Sequence, residues 1–239
     1  MAELRTLPPA LLEPPAELPP IAGGWTERTW TVAGRTLSLV LPASPDALLD
    51  DDGVLEQHER DGYMPYWAYL WPASLHMAEA LLRQPWSAGT PLLELGAGVG
   101  FVGLAAAMAG YRVTITDYDA TAVQLALFNA RRMHLEGVTG HVLDWRAPQG
   151  ERFPVIIACE VLYEDRNHEM ILDVLRERLQ PGGVAWFGDG GRVRAERFID
   201  LARHAGFTVT LRDENGAVLA SPRAGRYQLL ELTRSASRL

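Results

Sequence analysis

The segment of the sequence richest in chemistry runs from residue 92 to 100 and reads Leu-Leu-Glu-Leu-Gly-Ala-Gly-Val-Gly. It is an apolar strand with an acid, Glu94, near its end, followed by Gly96, Gly98 and Gly100 and then a helical pattern. Glycines at such a turn let the backbone approach a ligand that side chains would block. The helix beyond supplies oriented N–H groups and a partial positive charge. A dinucleotide binder needs Gly-x-Gly-x-x-Gly, so that a pyrophosphate rests on the helix end. Here Phe101 holds that third position, and Glu94 would repel a pyrophosphate. The same carboxylate attracts the cationic amino-acid end of S-adenosylmethionine, directly or through water. Asp117 closes the next apolar strand and is placed to accept both ribose hydroxyls. After the following strand, Leu143-Asp144-Trp145 offers a carboxylate for the adenine amino group and an indole for stacking. The ligand expected of this set is S-adenosylmethionine. The plainer alternatives are a structural turn at the glycines and a turn acid beside a core tryptophan at 144–145.

The elements that must position these residues follow from periodicity. Residues 1–24, with Pro8, Pro9, Pro14, Pro15, Pro19 and Pro20, read as an extended tail. Residues 26–32 and 36–41 are β-rich around Ala33-Gly34-Arg35, a hairpin signal, and the acidic stretch 46–59 reads as loop with a short helix. From Pro65 onward, apolar runs alternate with helical periods, the sign of βα units on a parallel sheet. Strands are expected at 91–95, 112–116, 140–143, 154–159, 184–187, 207–212 and 227–233. Helices are expected at 72–84, 100–109, 120–133, 167–179 and 194–205. The last two strands, separated by Asn215-Gly216 and Gly225, read as an antiparallel hairpin. The expected fold is α/β: a doubly wound, Rossmann-like, seven-stranded sheet, mostly parallel with an antiparallel C-terminal hairpin, plus an N-terminal β-hairpin extension. Its parts are a Pro-rich tail at 1–24, a hairpin and acidic loop at 25–64, and a main domain at 65–239.

The glycine loop and the two acids resemble those of class I, seven-stranded S-adenosylmethionine-dependent methyltransferases, over roughly residues 65–235. Three local runs narrow the resemblance to the protein-lysine methyltransferase-like group that includes the electron-transfer flavoprotein β-subunit lysine methyltransferase and its bacterial relatives. They are Pro65-Tyr66-Trp67-Ala68-Tyr69-Leu70-Trp71-Pro72, Glu160-Val161-Leu162-Tyr163 and Gly188-Asp189-Gly190-Gly191-Arg192. Gly190 stands where that group usually has proline, and Glu160 replaces the commoner aspartate. The resemblance implies that Trp71 lines the cofactor pocket, that Asp144 and Trp145 hold the adenine, and that Glu160 and Tyr163 border the opening for the acceptor. It implies a protein-lysine N-methyltransferase, with a small-molecule amine methyltransferase or a non-catalytic binding protein as alternatives. For Tyr69, packing of a helix onto the sheet is the preferred reading.

A lysine acceptor must lose a proton first. With an ordinary pKa near 10.4, that costs about 4.6 kcal/mol at neutral pH. An apolar, aromatic-walled channel lowers the amine pKa, and an acidic rim of Glu160, Glu164 and Asp165 attracts the cation beforehand. Tyr163 is therefore expected to wall and orient the amine, with Glu160 organising the site rather than acting as general base. No metal is required, and the six histidines show no ligand spacing. Cys159, the one cysteine, excludes an internal disulfide and reads as core. The net charge of −8 disfavours a broad phosphate-binding surface and mildly favours a cationic or basic partner. The expected partner is a protein substrate, with no nucleic acid and no membrane, in a cytoplasmic setting and with a monomer favoured. All 22 basic residues are arginine, which fits either a GC-rich coding bias or avoidance of self-modification by an enzyme that acts on lysine.

Overall fold

The computed structural model describes residues 10–83 and 85–234. Pro8 and Pro9 of the expected tail, the expected helix end at Gln84 and residues 235–239 lie outside the described residues. Strands β1 (Trp25–Val32) and β2 (Arg35–Pro42) pair antiparallel across Ala33-Gly34. Both turn residues have positive φ, 48° and 74°, as a two-residue turn matched to the strand twist requires. A 3-10 turn (Pro45–Asp50) and helix α1 (Asp52–Asp61) follow, the helix capped by the Asp51 side chain on the Gly53 and Val54 N–H groups. A second 3-10 turn (Tyr66–Ala68) leads into α2 (Ala73–Leu82).

The main sheet alternates with helices as the periodicity predicts. Its strands are β3 (Pro91–Leu95), β4 (Arg112–Asp117), β5 (Val138–Val142), β6 (Phe153–Cys159), β7 (Leu179–Asp189), β8 (Phe207–Arg212), β9 (Val218–Leu219) and β10 (Gln228–Arg234). The helices are α3 (Phe101–Met108), α4 (Ala120–Arg132), α5 (Asp165–Arg178) and α6 (Val193–His204). Strand order is β5-β4-β3-β6-β7-β10-β8-β9. The pairings from β5 to β7 are parallel, and β10 runs antiparallel between β7 and β8. Alternate strand residues face opposite ways. Leu92, Ile115 and Ile157 join a core with α2, α3 and α4, while Leu93, Leu95, Ile156 and Ala158 join one with α5 and α6.

Three features differ from expectation. The sheet has an eighth strand: the turn at Asn215-Gly216 closes a short β8–β9 hairpin, pairing Leu211 with Leu219, before β10 returns to β7. The Asp213 carboxylate pins that turn through the Asn215 and Ala217 N–H groups, each at 2.9 Å. Strand β5 starts two residues earlier than expected, because Gly137 (φ 72°) makes the turn. Gly140 sits inside the strand, where a Cβ would lie 2.8 Å from Val123 of α4. Finally, the N-terminal hairpin, which forms as expected, shares its core with the main domain set beside it at 65–239. Leu37, Leu39 and Leu41 are buried in the same core as α2 and α3. Asn129 of α4 accepts from the Val40 N–H and donates to its carbonyl, both at 2.8 Å. The tail also lies against the sheet, with the Leu12 N–H on the Gly140 carbonyl at 2.8 Å.

Chain direction across the sheet reverses between β3 and β6. Their carboxyl ends, at Gly96 and Glu160, flank the crevice where ligands bind in open α/β sheets.

Candidate active site

A cavity of about 380 Å³ opens at that crevice and is lined from both sides of it, a volume within the ordinary range for a small-molecule site. Of the residues singled out from the sequence, Glu94, Gly96, Gly98, Asp117, Asp144 and Trp145 line it on one flank and Trp71, Glu160, Tyr163 and Glu164 on the other. Gly100 does not, and Asp165 of the expected acidic rim lies off the cavity, paired with Arg197 at 2.8 Å.

On the first flank the loop after β3 has positive φ at Gly96 (64°), Gly98 (55°) and Gly100 (80°). Each glycine also admits a neighbour. A Cβ at Gly96 would lie 2.9 Å from Val161 and 3.4 Å from Trp145. One at Gly98 would lie 3.2 Å from the Trp67 carbonyl, and one at Gly100 2.6 Å from Ala126 of α4. Gly100 therefore serves helix packing behind the loop.

Both acids are tied to backbone. Asp117 accepts from the Gly98 N–H at 2.9 Å and the Asp119 N–H at 3.0 Å, so it shapes the loop it faces. Burial pushes its carboxyl up to about 6, against the pull of those two donors. Glu94 is 2% exposed and accepts from the Gly103 N–H in the first turn of α3 at 2.9 Å. Its Oε2 has no partner among the described residues. Burial pushes this carboxyl up to about 8. The carboxylate occupies the space a side chain at Gly103 would take, so Gly103 is a fourth required glycine that the loop pattern did not reveal. Asp144 is not free: Arg146 binds it through Nε at 2.8 Å and Nη2 at 2.6 Å, and Arg146 also lies over the Tyr118 ring. That pairing holds its carboxyl below the usual carboxylate range.

The second flank is aromatic. Tyr66 meets Trp71 and Tyr163 edge-on, with centroids 6.2 Å and 5.2 Å apart. Tyr69, expected only to pack, lines the cavity and donates its hydroxyl to Asp46. Burial pushes the Tyr163 phenol up to about 12, so it stays protonated at neutral pH. Glu160 is 6% exposed with φ at 60°, a left-handed conformation that costs a non-glycine residue of order 1 kcal/mol and marks functional sites. Burial raises its carboxyl and the Arg192 guanidinium, 2.7 Å away, opposes that rise. Cys159, expected as core, reaches the cavity wall beside Ser74 and Glu160, and burial pushes its thiol well up.

Most of the segment 62–71 also lines the cavity. Tyr63 donates to the Asp119 carboxylate and accepts from Trp67 Nε1 at 3.0 Å. Tyr63, Tyr66 and Arg192 are the contributors that residue spacing did not single out. Tyr66 and Arg192 stand inside the runs 65–72 and 188–192, but the contacts that matter here, Tyr63 with Asp119, Tyr66 with Tyr163 and Arg192 with Trp71, join distant parts of the chain.

The flank built from β3 and β4 fits S-adenosylmethionine. Glu94, Gly96, Gly98 and Asp117 line the cavity together, and the buried Glu94 Oε2 has no hydrogen-bond partner among the described residues. Among the described residues no group of three or more His, Cys, Asp or Glu is arranged to hold a metal ion.

Comparison with known proteins gives the same direction. The electron transfer flavoprotein beta subunit lysine methyltransferase of Danio rerio is 27% identical over 169 residues, spanning 66% of this chain and 64% of that protein. The chain thus accounts for just under two thirds of that relative's length. EEF1A lysine methyltransferase 3 of Mus musculus is 28% identical over 158 residues, 62% of this chain and 68% of that protein. Among solved structures, a TehB-like SAM-dependent methyltransferase from Corynebacterium glutamicum superposes with a TM-score of 0.56 at 17% identity. It covers 80% of this chain and 100% of its own, and supports the fold. A family model described as lysine methyltransferase matches residues 55–201, more than half of the chain. The protein belongs to the lysine methyltransferase family.

Proposed function

We propose that this protein transfers a methyl group from S-adenosylmethionine to the side-chain nitrogen of a lysine in a protein substrate. The observation that carries this reading is the pairing of two unlike walls in one cavity: a glycine loop with Glu94 and Asp117 faces Tyr66, Trp71, Tyr163 and Glu160. The bound cofactor supplies a methyl group on a sulfonium, which an amine lone pair takes by in-line displacement as the carbon–sulfur bond breaks. The protein's task is alignment.

Gly96, Gly98 and Asp117 hold the nucleoside. Trp71, expected from the resemblance to line the cofactor pocket, sits with Tyr163 around Tyr66 and Arg192, and with Tyr163 it walls the acceptor. Aromatic walls admit the lysine stem and disfavour its charged form, which lowers the cost of losing the proton to solvent. Tyr163, protonated at neutral pH, orients the amine and does not abstract its proton. Glu160 is engaged by Arg192 and organises the mouth. A protein partner suits the family's named members, and the net charge of −8 argues against nucleic acid. No helix among the described residues is long and apolar enough to cross a membrane. We place the reaction in the cytoplasm, where the lone Cys159 thiol stays reduced.

The test is incubation with methyl-labelled cofactor and a lysate from a strain lacking the protein. The expected result is a labelled protein band whose methyl maps to lysine. Label confined to small metabolites, or cofactor binding with no label anywhere, would overturn the assignment.

A further inference from the structure

Arg192 stands behind the aromatic wall, at the turn between β7 and α6. Its Nη2 lies 2.7 Å from Glu160 Oε2, and its Cζ lies 5.4 Å from the Trp71 ring centroid and 5.7 Å from that of Tyr163. One guanidinium thus touches the acid and both aromatic side chains that border the acceptor's path. Its placement is built in. Asp189, fully buried at the end of β7, accepts the N–H groups of Gly191 at 2.7 Å and Arg192 at 2.9 Å, fixing the turn that presents the side chain. From the other side, the left-handed backbone at Glu160 and the Ala73 and Gly190 N–H groups aim the carboxylate.

A bare carboxylate on this wall would bind the incoming ammonium and hold its proton, opposing the reaction. Paired with a guanidinium it contributes little net charge to the cavity. Arginine suits this task because it never loses its charge and its flat face packs on rings.

We propose that Arg192 is a positioning residue for methyl transfer that sets the charge at the transfer point: it neutralises Glu160 and braces Trp71 and Tyr163, so that the acceptor amine arrives as the neutral base. The inference rests on the methyltransferase reading above.

It can be tested without knowing the acceptor. S-adenosylmethionine and S-adenosylhomocysteine differ by the methyl group and its sulfonium charge, so their affinity ratio reads the charge at that point. We would measure both by calorimetry at pH 8 for the wild type, Arg192→Gln, Glu160→Gln, the double variant and Arg192→Lys. Arg192→Gln leaves the Glu160 anion uncompensated and is expected to shift the ratio at least fivefold toward the cationic ligand. Glu160→Gln shifts it as far the other way, the double variant returns close to wild type, and Arg192→Lys keeps the wild-type ratio. If one single variant fails to fold, the shift in the other decides. A ratio unmoved within twofold, with both affinities falling together, would overturn the proposal and leave Arg192 a packing residue. If neither ligand binds the wild type, the cofactor reading itself fails, a separate and recognisable outcome.

Discussion

At the glycine-loop end of the cavity the Glu94 and Asp117 carboxylates are fixed by main-chain N–H groups, those of Gly98, Asp119 and Gly103. At the Tyr163 end the decisive contacts run between side chains: Tyr66 against Trp71 and Tyr163, and Arg192 against Trp71, Tyr163 and Glu160. The first arrangement is rigid because the sheet and α3 fix its donors, and it suits an invariant ligand such as a cofactor. The second is set by rotamers, and it suits a surface whose task is to fit a particular acceptor. Damage at the first end should therefore appear as lost cofactor affinity or stability, and damage at the second as lost turnover.

The hardest strain on that division is Gly103→Ala. Its methyl group would fall on the Glu94 Oε2 position, so the carboxylate must leave the Gly103 N–H or α3 must shift. We expect about 3 kcal/mol of overpacking cost, a drop of about 6–12 °C in melting temperature for a chain of this size, and weakened cofactor binding. A melting temperature within about 2 °C of wild type would show that the loop end is softer than described. At the opposite end, Tyr163→Ala should cut turnover about 100-fold through lost alignment while S-adenosylhomocysteine affinity stays within about threefold. Parallel loss of both would erase the distinction. Asp117→Asn comes next: two backbone N–H groups lose a charged acceptor, and the carboxylate proposed to hold the ribose loses its charge. A fall of about tenfold in cofactor affinity, measured by calorimetry, is expected.

The smallest effect is a pH dependence. Burial raises Glu94 from an ordinary 4.5 to about 8. Between those values the folded protein keeps a proton that the unfolded chain releases, so the stability of the ligand-free protein falls as pH rises through this window. Asp117, raised to about 6, adds to the fall at the acidic end of the window. In Glu94→Gln the melting-temperature difference between about pH 5.5 and pH 8 should shrink by a few degrees. An unchanged difference would mean that Glu94 is ionised in the folded state at both.

The same contrast explains what could be read in advance. The βα alternation, the parallel character of the sheet and the loop from Glu94 to Gly100 are written in contiguous residues, so period and spacing reveal them. Asp117 and Asp144-Trp145 follow because strand ends at one edge of a sheet converge. Gly103 escaped because its need is spatial: nothing in Phe101-Val102-Gly103 shows that the Glu94 side chain fills the place of a Cβ. Tyr63 reaches Asp119 across 56 residues, and Arg192 reaches Trp71 across more than a hundred, which no local pattern encodes. Likewise the β2 hairpin signal was plain, but the Asn129 side chain that joins β2 to α4 was not. Strand β9 was missed because two residues carry no period.

The central claim is that Glu94, the loop after it and Asp117 grip the two ends of one sulfonium nucleoside. Calorimetric titration of the purified protein with S-adenosylhomocysteine and, separately, NADH tests it most directly. We predict saturable one-to-one binding of S-adenosylhomocysteine, weakened in Asp117→Asn, and no heat with NADH. Binding of NADH with no response to S-adenosylhomocysteine or S-adenosylmethionine would contradict the account.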